Sequence, residues 1–151
     1  MFHLDRFLRF SVAVETLQKA VNRYKNACVS RFGLHGMHVT FLCTLSKCEG
    51  GMTATELSKS CSVDKAFISR TGTELREMGL VSYVSGEGQP VSGYKNKICL
   101  TDKGWEVMRE ISDMVMTGVG KATKDLAPEI LEQFYEVIDS IDNNLTLNPA
   151  K

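Results

Sequence analysis

At 151 residues, 43% hydrophobic and 24% charged, the chain fits one soluble globular domain with a buried core. Its 18 basic and 18 acidic residues cancel, so net charge alone gives no reason to expect nucleic-acid binding. The five cysteines are odd in number and include no C-x-x-C pair, which disfavours a disulfide framework and a zinc ribbon. No uncharged run is long enough to span a membrane, and the charged N-terminus lacks the apolar centre of a secretory signal. We therefore expect a cytoplasmic protein.

Long helices are predicted at both ends of the chain. Apolar residues recur at steps of three and four from Leu4 to Cys28, and again from Trp105 to Ala122 and from Ile130 to Leu145. A shorter helix is predicted from Met37 to Leu45. Because the terminal stripes extend far beyond a small central unit, they favour a dimer seam or a core over a cofactor site.

The middle of the chain predicts two helices joined by a tight turn. Thr53 and Glu56 form a capping-box pattern, in which each side chain accepts a hydrogen bond from the backbone N–H of the other. The short helix that follows ends near Ser60, and Ser62-Val63 make the turn. The second helix of the pair then runs to Gly79.

A β-hairpin is predicted after the second helix. Leu80 to Val84 and Lys97 to Leu100 have strand character, and the Gly- and Pro-containing stretch Gly86 to Gly93 lies between them. Thr101-Asp102 then begins another helix. Two helices with a tight turn and a hairpin make a winged helix-turn-helix, so the fold class is mainly α with a small β-hairpin wing.

The second helix of the pair carries the candidate DNA-binding residues. Leu57, Cys61, Ile68 and Leu75 are expected to pack together, which leaves a polar side free to enter a major groove. Arg70 can bind a guanine edge or a phosphate, or it is a solvated charge. Phe67 contacts a thymine methyl group or packs on a neighbouring helix. The residues predicted to contact DNA are Lys65, Ala66, Phe67, Ser69, Arg70 and Thr73 from the helix, with Lys95 and Lys97 from the wing.

The segments TATELSKSCSVDKAFISRTGTELREMGLV and LTDKG resemble the multiple-antibiotic-resistance regulator (MarR) family, and the resemblance covers nearly the whole chain. It implies a homodimeric transcription regulator, specifically a repressor, that binds a pseudo-palindromic operator in double-stranded DNA and responds to a small-molecule effector. Residues 1–32 and 104–147 would form the dimerisation helices and 33–103 the winged unit. The chain departs from the family pattern where Ser92 and Tyr94 replace the usual wing Asp and Arg, and where Tyr83 stands at a position that is often basic.

In this family an effector pocket lies where the dimerisation helices meet the winged unit. The residues that the resemblance places there are Tyr24, Cys28, Phe32, His35, Met37 and His38. Histidine and cysteine also bind zinc, but no carboxylate cluster accompanies them in this segment, so no metal and no cofactor is predicted.

Two other functions stay open on the sequence. A winged-helix module for protein–protein interaction is consistent with the missing wing Arg, and a redox- or metal-responsive regulator is consistent with the Cys and His residues. An enzyme is not predicted, because no nucleophile–base pair, phosphate-binding loop or carboxylate pair has catalytic spacing.

Overall fold

The structure, a computed structural model, describes residues 2–85 and 96–147. The predicted mainly helical fold with a small sheet is confirmed. The chain divides into two compact units, Met1–Met116 and Thr117–Lys151. In chain order the elements are α1 (Phe2–Val29), a 3-10 turn (Ser30–Phe32), α2 (Gly36–Leu45), β1 (Met52–Thr53), α3 (Ala54–Cys61), α4 (Lys65–Glu77), β2 (Val81–Val84), β3 (Lys97–Leu100), α5 (Asp102–Thr123) and α6 (Pro128–Leu147).

The core of the first unit lies among α2, α3, α4, the sheet and the first part of α5. Its buried side chains come from helical positions that recur every three or four residues, as the apolar stripes predict. The largest completely buried residues are Phe41, Leu42 and Leu45 of α2, Leu57 of α3, Ile68 and Leu75 of α4, Ile98 of β3 and Ile111 of α5.

Side-chain caps begin both helices of the helix-turn-helix. The Glu56 N–H donates to the Thr53 hydroxyl at 3.3 Å, and the Thr53 N–H donates to the Glu56 carboxylate at 2.7 Å. Asp64 accepts the N–H of Phe67 at 2.7 Å and so caps α4. The capping box of Thr53 and Glu56 confirms what the sequence predicts there.

The turn between α3 and α4 has a left-handed residue at its centre. Ser62 has φ 54°, and it is the one non-glycine with positive φ in the part of the chain that is described. Ser58 and Val63 close the turn, since the Ser58 hydroxyl donates to the Val63 carbonyl at 2.6 Å and the Val63 N–H donates back to the Ser58 carbonyl at 3.1 Å. This turn sets the direction in which α4 leaves the core.

The sheet contains a strand that the sequence did not predict. β1 pairs with β3, which also pairs with β2, so the antiparallel order is β1-β3-β2. A strand of two residues is too short to show an alternating pattern, which explains why it was missed. The predicted wing tip, Gly86 to Gly93, lies outside the described residues.

The LTDKG segment joins the end of α4 to the start of α5. The Thr101 hydroxyl donates to the Gly79 carbonyl at 2.7 Å and accepts the Gly104 N–H at 3.0 Å, while Lys103 Nζ donates to the Met78 carbonyl at 2.8 Å. A Cβ on Gly104 would collide with the Leu80 carbonyl, so only glycine permits this close approach. The segment therefore fixes the C-terminal end of α4.

The long terminal helices form where their stripes predict, and they carry large exposed apolar side chains. On α1, Leu4 is 71% exposed and Phe7 65%; on α6, Val137 is 56% exposed. None of the described helices combines the length and hydropathy that crossing a bilayer requires. The exposed apolar faces of α1 and α6 are therefore candidate surfaces for association with a second copy of the chain.

Candidate nucleic-acid interface

The helix α4 has one buried face and one exposed face. Ile68, Thr71, Gly72 and Leu75 are buried against the core. On the opposite side, Ala66, Arg70 and Thr73 recur on successive turns along the centre of the outward face, where the first two are exposed and Thr73 is half-buried. The outward placement predicted for this face is therefore observed, while DNA contact by it stays a prediction.

The remaining candidates on α4 flank this row. Lys65 and Ser69 are exposed on one side of it, and Phe67 lies on the other, partly exposed. The Thr73 hydroxyl donates to the Ser69 carbonyl at 3.0 Å, so its proton is already used within the helix. Arg70, at the middle of the face, is the strongest candidate for a base contact because its guanidinium can form two parallel hydrogen bonds to a guanine edge.

Phe67 is held in the first turn of α4. Its N–H donates to the Asp64 cap, so the backbone that carries the ring is fixed. In the described parts of the chain, the partly buried apolar side chains that pack on the core include Val63 just before α4 and Met78 just after it, but not Phe67. Phe67 thus lies outside that core group, and both alternatives from the sequence, contact with a thymine methyl group and packing on a neighbouring helix, stay predictions.

The wing strand β2 contacts α4 through Tyr83. A Cβ placed on Gly72 would collide with the Tyr83 hydroxyl, and the Arg76 guanidinium lies 5.3 Å from the centre of the Tyr83 ring. Burial raises the pKa of Tyr83, and Arg76 partly opposes that shift. The side chain at this often-basic position therefore packs on α4.

Sequence reasoning did not identify this contact. The signal that could have revealed it is Gly72 itself, because a glycine in the middle of a helix costs about 1 kcal/mol relative to alanine and so calls for a packing reason.

Lys97 is the wing cation within the described residues that was predicted to contact phosphate. It is exposed on β3 opposite Thr53. The hydrogen bonds from Thr53 lower the pKa of Glu56, and the charge of Lys97 contributes a smaller lowering. The positive charge of Lys97 therefore favours the ionised form of Glu56, while phosphate contact by Lys97 stays a prediction. Lys95, Ser92 and Tyr94 lie outside the described residues.

Among the residues predicted to line an effector pocket, His38 contacts both the residue before α2 and the helix α4. It is buried, its Nδ1 accepts the His35 N–H at 3.0 Å, and its Nε2 lies 3.1 Å from the Glu74 carboxylate on α4. Because Nδ1 is an acceptor here, the hydrogen of the neutral ring is on Nε2 and points to Glu74. His38 thus connects the start of α2 to the candidate DNA-binding helix.

The other predicted pocket residues are divided between contacts and exposure. The Tyr24 hydroxyl donates to the Met114 carbonyl at 2.6 Å, and partial desolvation and the neighbouring Cys28 thiol both raise the pKa of Tyr24. Cys28 is buried, Phe32 and Met37 are half-buried, and His35 is exposed. Contacts join Tyr24 to Cys28 and His35 to His38; a single pocket formed by all six stays a prediction.

The cysteine thiols and the possible metal ligands are the groups on which a redox- or metal-responsive regulator would depend. All five cysteines are free. Burial raises the pKa of Cys43 despite the nearby Lys25 and Lys47, which is the opposite of what activates a thiol. Within residues 2–85 and 96–147, no three His, Cys, Asp or Glu side chains are grouped as a metal ion would require.

Comparison with known proteins gives structural matches only. No family model and no curated protein matches the sequence. AbsC, a MarR family transcriptional regulator from Streptomyces coelicolor, superposes with a TM-score of 0.76 at 23% identity, over 92% of this chain and 93% of that one. CouR from Rhodococcus jostii RHA1, bound to p-coumaroyl-CoA, gives 0.77 at 18% identity over 87% and 90%. A MarR regulator from Methanosarcina mazei Go1 gives 0.74 at 17% identity over 91% and 97%.

The chain has the MarR fold. The resemblance that the sequence predicted is thereby confirmed for the architecture. Within the MarR fold, α3 and α4 are the helix-turn-helix and β2 with β3 forms the base of the wing.

Proposed function

We propose that this chain is a dimeric transcriptional regulator that binds double-stranded DNA in a sequence-specific manner. One observation carries the proposal: α4 is anchored through its buried face and its caps, and it presents Ala66, Arg70 and Thr73 along the outward face. A helix of 13 residues fits a major groove with its N-terminal half at the base edges. The MarR fold supports the same function, which is that of a regulator and not an enzyme.

The exposed faces of α1 and α6 support a dimer of this chain. Large apolar side chains on both helices are exposed in the single chain, and association would remove them from water. The helices also have opposite charge: α1 carries five basic and two acidic residues, and α6 carries five acidic and no basic residues. In a twofold dimer, α1 of one copy and α6 of the other attract each other. Such a dimer places two α4 helices about one DNA turn, or about 34 Å, apart.

The decisive experiment is operator binding by an Arg70→Ala variant. The full-length protein first selects its preferred duplex from a random-sequence pool, and affinities are then measured by fluorescence anisotropy. Loss of a bidentate contact to guanine is expected to weaken binding by about 1–3 kcal/mol in each half-site and to relax the preference at one position there. Arg109→Ala removes an exposed arginine from α5 and is the matched control; it is expected to bind like the parent. Equal affinity of the folded Arg70→Ala protein and the parent would disprove the role given to α4.

Lys97 tests the contribution of the wing. Lys97→Ala is expected to weaken binding to all duplexes similarly and to reduce the slope of log K against log salt by about 2, because the dimer loses one phosphate contact in each subunit. An unchanged slope would show that Lys97 makes no phosphate contact and that its charge acts only on Glu56.

We further propose that a small organic molecule regulates binding near Tyr24, Cys28 and His38. Support comes from the His38 contact to Glu74, since a ligand that displaced it would loosen the hold on α4. The structurally similar CouR from Rhodococcus jostii RHA1 is bound to p-coumaroyl-CoA. The test is operator release during titration with phenolic acids and their thioesters, with His38→Phe as the variant that no longer responds. Repression is tested separately by whether deletion of the gene raises transcripts next to the bound sites.

A protein-interaction module is the second candidate. Residues 53–103 carry seven basic and six acidic residues, and the often-basic position 83 holds a tyrosine that packs on α4. A protein that enriches no duplex from the random pool, but forms a stable complex with another protein, would favour this function over DNA binding.

A further inference from the structure

Phe67 is the feature of the α4 surface that the general DNA-binding function does not explain. The ring lies in the first turn, where helices that enter a major groove meet base edges. It is partly exposed, and it is outside the group of apolar side chains that pack on the core of the described structure. A phenyl ring has no hydrogen-bonding atom, so it cannot act by donating to a phosphate or to a base edge.

We infer that Phe67 reads the 5-methyl group of thymine, so that each half-site of the operator contains a thymine that is required for tight binding. The inference rests on the proposed function, because it assumes that α4 enters the major groove. The thymine methyl is the one apolar group that a base pair presents in that groove, and side chains such as phenylalanine and alanine contact it. Removing both apolar groups from water is favourable, which gives the ring a reason to prefer this base.

The neighbours of Phe67 strengthen this assignment. Ala66 is exposed beside it and adds a second apolar group, while Arg70 lies one turn further on and adjacent to Phe67 on the helix surface. The Asp64 cap holds the backbone of this turn, so Phe67 and Arg70 leave neighbouring positions of a regular helix. The pair matches a duplex in which a thymine methyl lies close to a guanine edge.

The test removes only the methyl group. The full-length protein selects its duplex from a random pool, and each thymine of that duplex is then replaced in turn by deoxyuridine. At one thymine in each half-site the replacement is expected to weaken binding by the parent about fourfold, the effect of one methyl group leaving a contact. Phe67→Ser, which has neither a ring nor a methyl group to contact the thymine methyl, is expected to bind thymine and uracil duplexes equally at that position. Phe67→Leu, which keeps an apolar contact, is expected to retain the sensitivity.

The outcomes separate this inference from the function on which it rests. If a duplex is enriched, but every thymine replacement affects the parent and Phe67→Ser alike, Phe67 does not read thymine and the DNA-binding function stands. If no duplex is enriched, both the thymine inference and the proposed DNA-binding function are contradicted. Thermal unfolding of the variants verifies that each is folded, which is expected because Phe67 lies outside the core.

Discussion

Gly72 and Tyr83 share one small space between α4 and β2. The hydroxyl of Tyr83 fills the position of a Cβ at residue 72, whereas the ring carbon that bears it is 3.6 Å away, which is an ordinary contact. Each residue is unusual by itself: glycine weakens a helix interior, and tyrosine replaces a basic residue at a wing position. Together they are complementary, because the missing side chain of one accommodates the other.

The two residues are therefore expected to be coupled in stability. Gly72→Ala in an otherwise unchanged protein is expected to destabilise it, because overpacking costs about 1–3 kcal/mol and outweighs the gain of about 1 kcal/mol from helix propensity. In a Tyr83→Phe background the oxygen is gone, and the same change is expected to stabilise the protein by about 1 kcal/mol. Chemical denaturation of the four proteins measures both effects. Additive changes would show that the hydroxyl does not occupy this space in solution.

The caps around the turn decide how α3 and α4 are presented. The Thr53–Glu56 pair fixes the start of α3, and the left-handed Ser62 and the Asp64 cap direct α4 outward. The sequence predicted the capping box and the position of the turn by residue type and spacing, whereas the left-handed Ser62 and the Asp64 cap were found in the structure. Together they position the face of α4 that is proposed to bind DNA.

The capping box gives α3 a defined pH dependence. Hydrogen bonds from Thr53 lower the pKa of Glu56 below its usual 4.5, so the carboxylate stabilises the folded state above that value. This contribution is lost as the pH falls through the lower folded-state pKa. Glu56→Gln retains a capping partner without a titrating group, and it is expected to flatten the stability of the protein in the acid range. Denaturation midpoints at a series of pH values from neutral downward measure this, and parallel curves for parent and variant would contradict it.

Ser62 offers a stabilising change. A left-handed backbone conformation costs an L-residue about 1–2 kcal/mol, and glycine avoids this cost. Glycine also makes the unfolded chain more flexible, which reduces the gain in stability by about 0.4–1 kcal/mol. Ser62→Gly is therefore expected to stabilise the protein by up to about 1 kcal/mol. Ser60→Gly, inside α3 where the backbone is right-handed, is the matched control and is expected to destabilise it. Equal effects of the two changes would show that Ser62 carries no strain.

The terminal helices α1 and α6 are the elements through which the chain is proposed to form a dimer. In the proposed dimer the second copy would cover their exposed apolar faces, and the opposite charges of α1 and α6 would favour that pairing. The proposed DNA binding rests on this dimer, since one α4 helix alone would read only half of a palindromic site.

A charge placed on the apolar face of α1 tests the dimer. Phe7 is 65% exposed in the single chain, and Phe7→Asp is expected to raise the dimer dissociation constant by at least about a hundredfold. Burying a phenylalanine contributes about 1.5–3 kcal/mol, and twofold symmetry counts the loss twice. Thr16→Asp adds the same charge on the side of α1 opposite the apolar stripe, where Thr16 is exposed, and is expected to leave the dimer intact. Sedimentation equilibrium measures both. A parent protein that is monomeric at micromolar concentration would contradict the dimer itself.

The sequence by itself determined the helices, the two strands of the wing and the capped turn. These elements depend on interactions between residues a few positions apart, such as the apolar steps of three and four and the pair Thr53 and Glu56. The outward direction of Arg70 followed in the same way, because Ile68 and Leu75 fix which side of α4 is buried. Local chemistry was sufficient for all of these.

Only the tertiary structure decided the contacts between residues distant in the chain. The short strand β1 exists because β3 pairs with it, and two residues carry no periodic signal of their own. His38 reaches Glu74, and Tyr83 fills the space above Gly72, because packing brings α2, α4 and β2 together. A pattern in one segment says which face is buried, but the partner that covers it depends on how the whole chain closes its core.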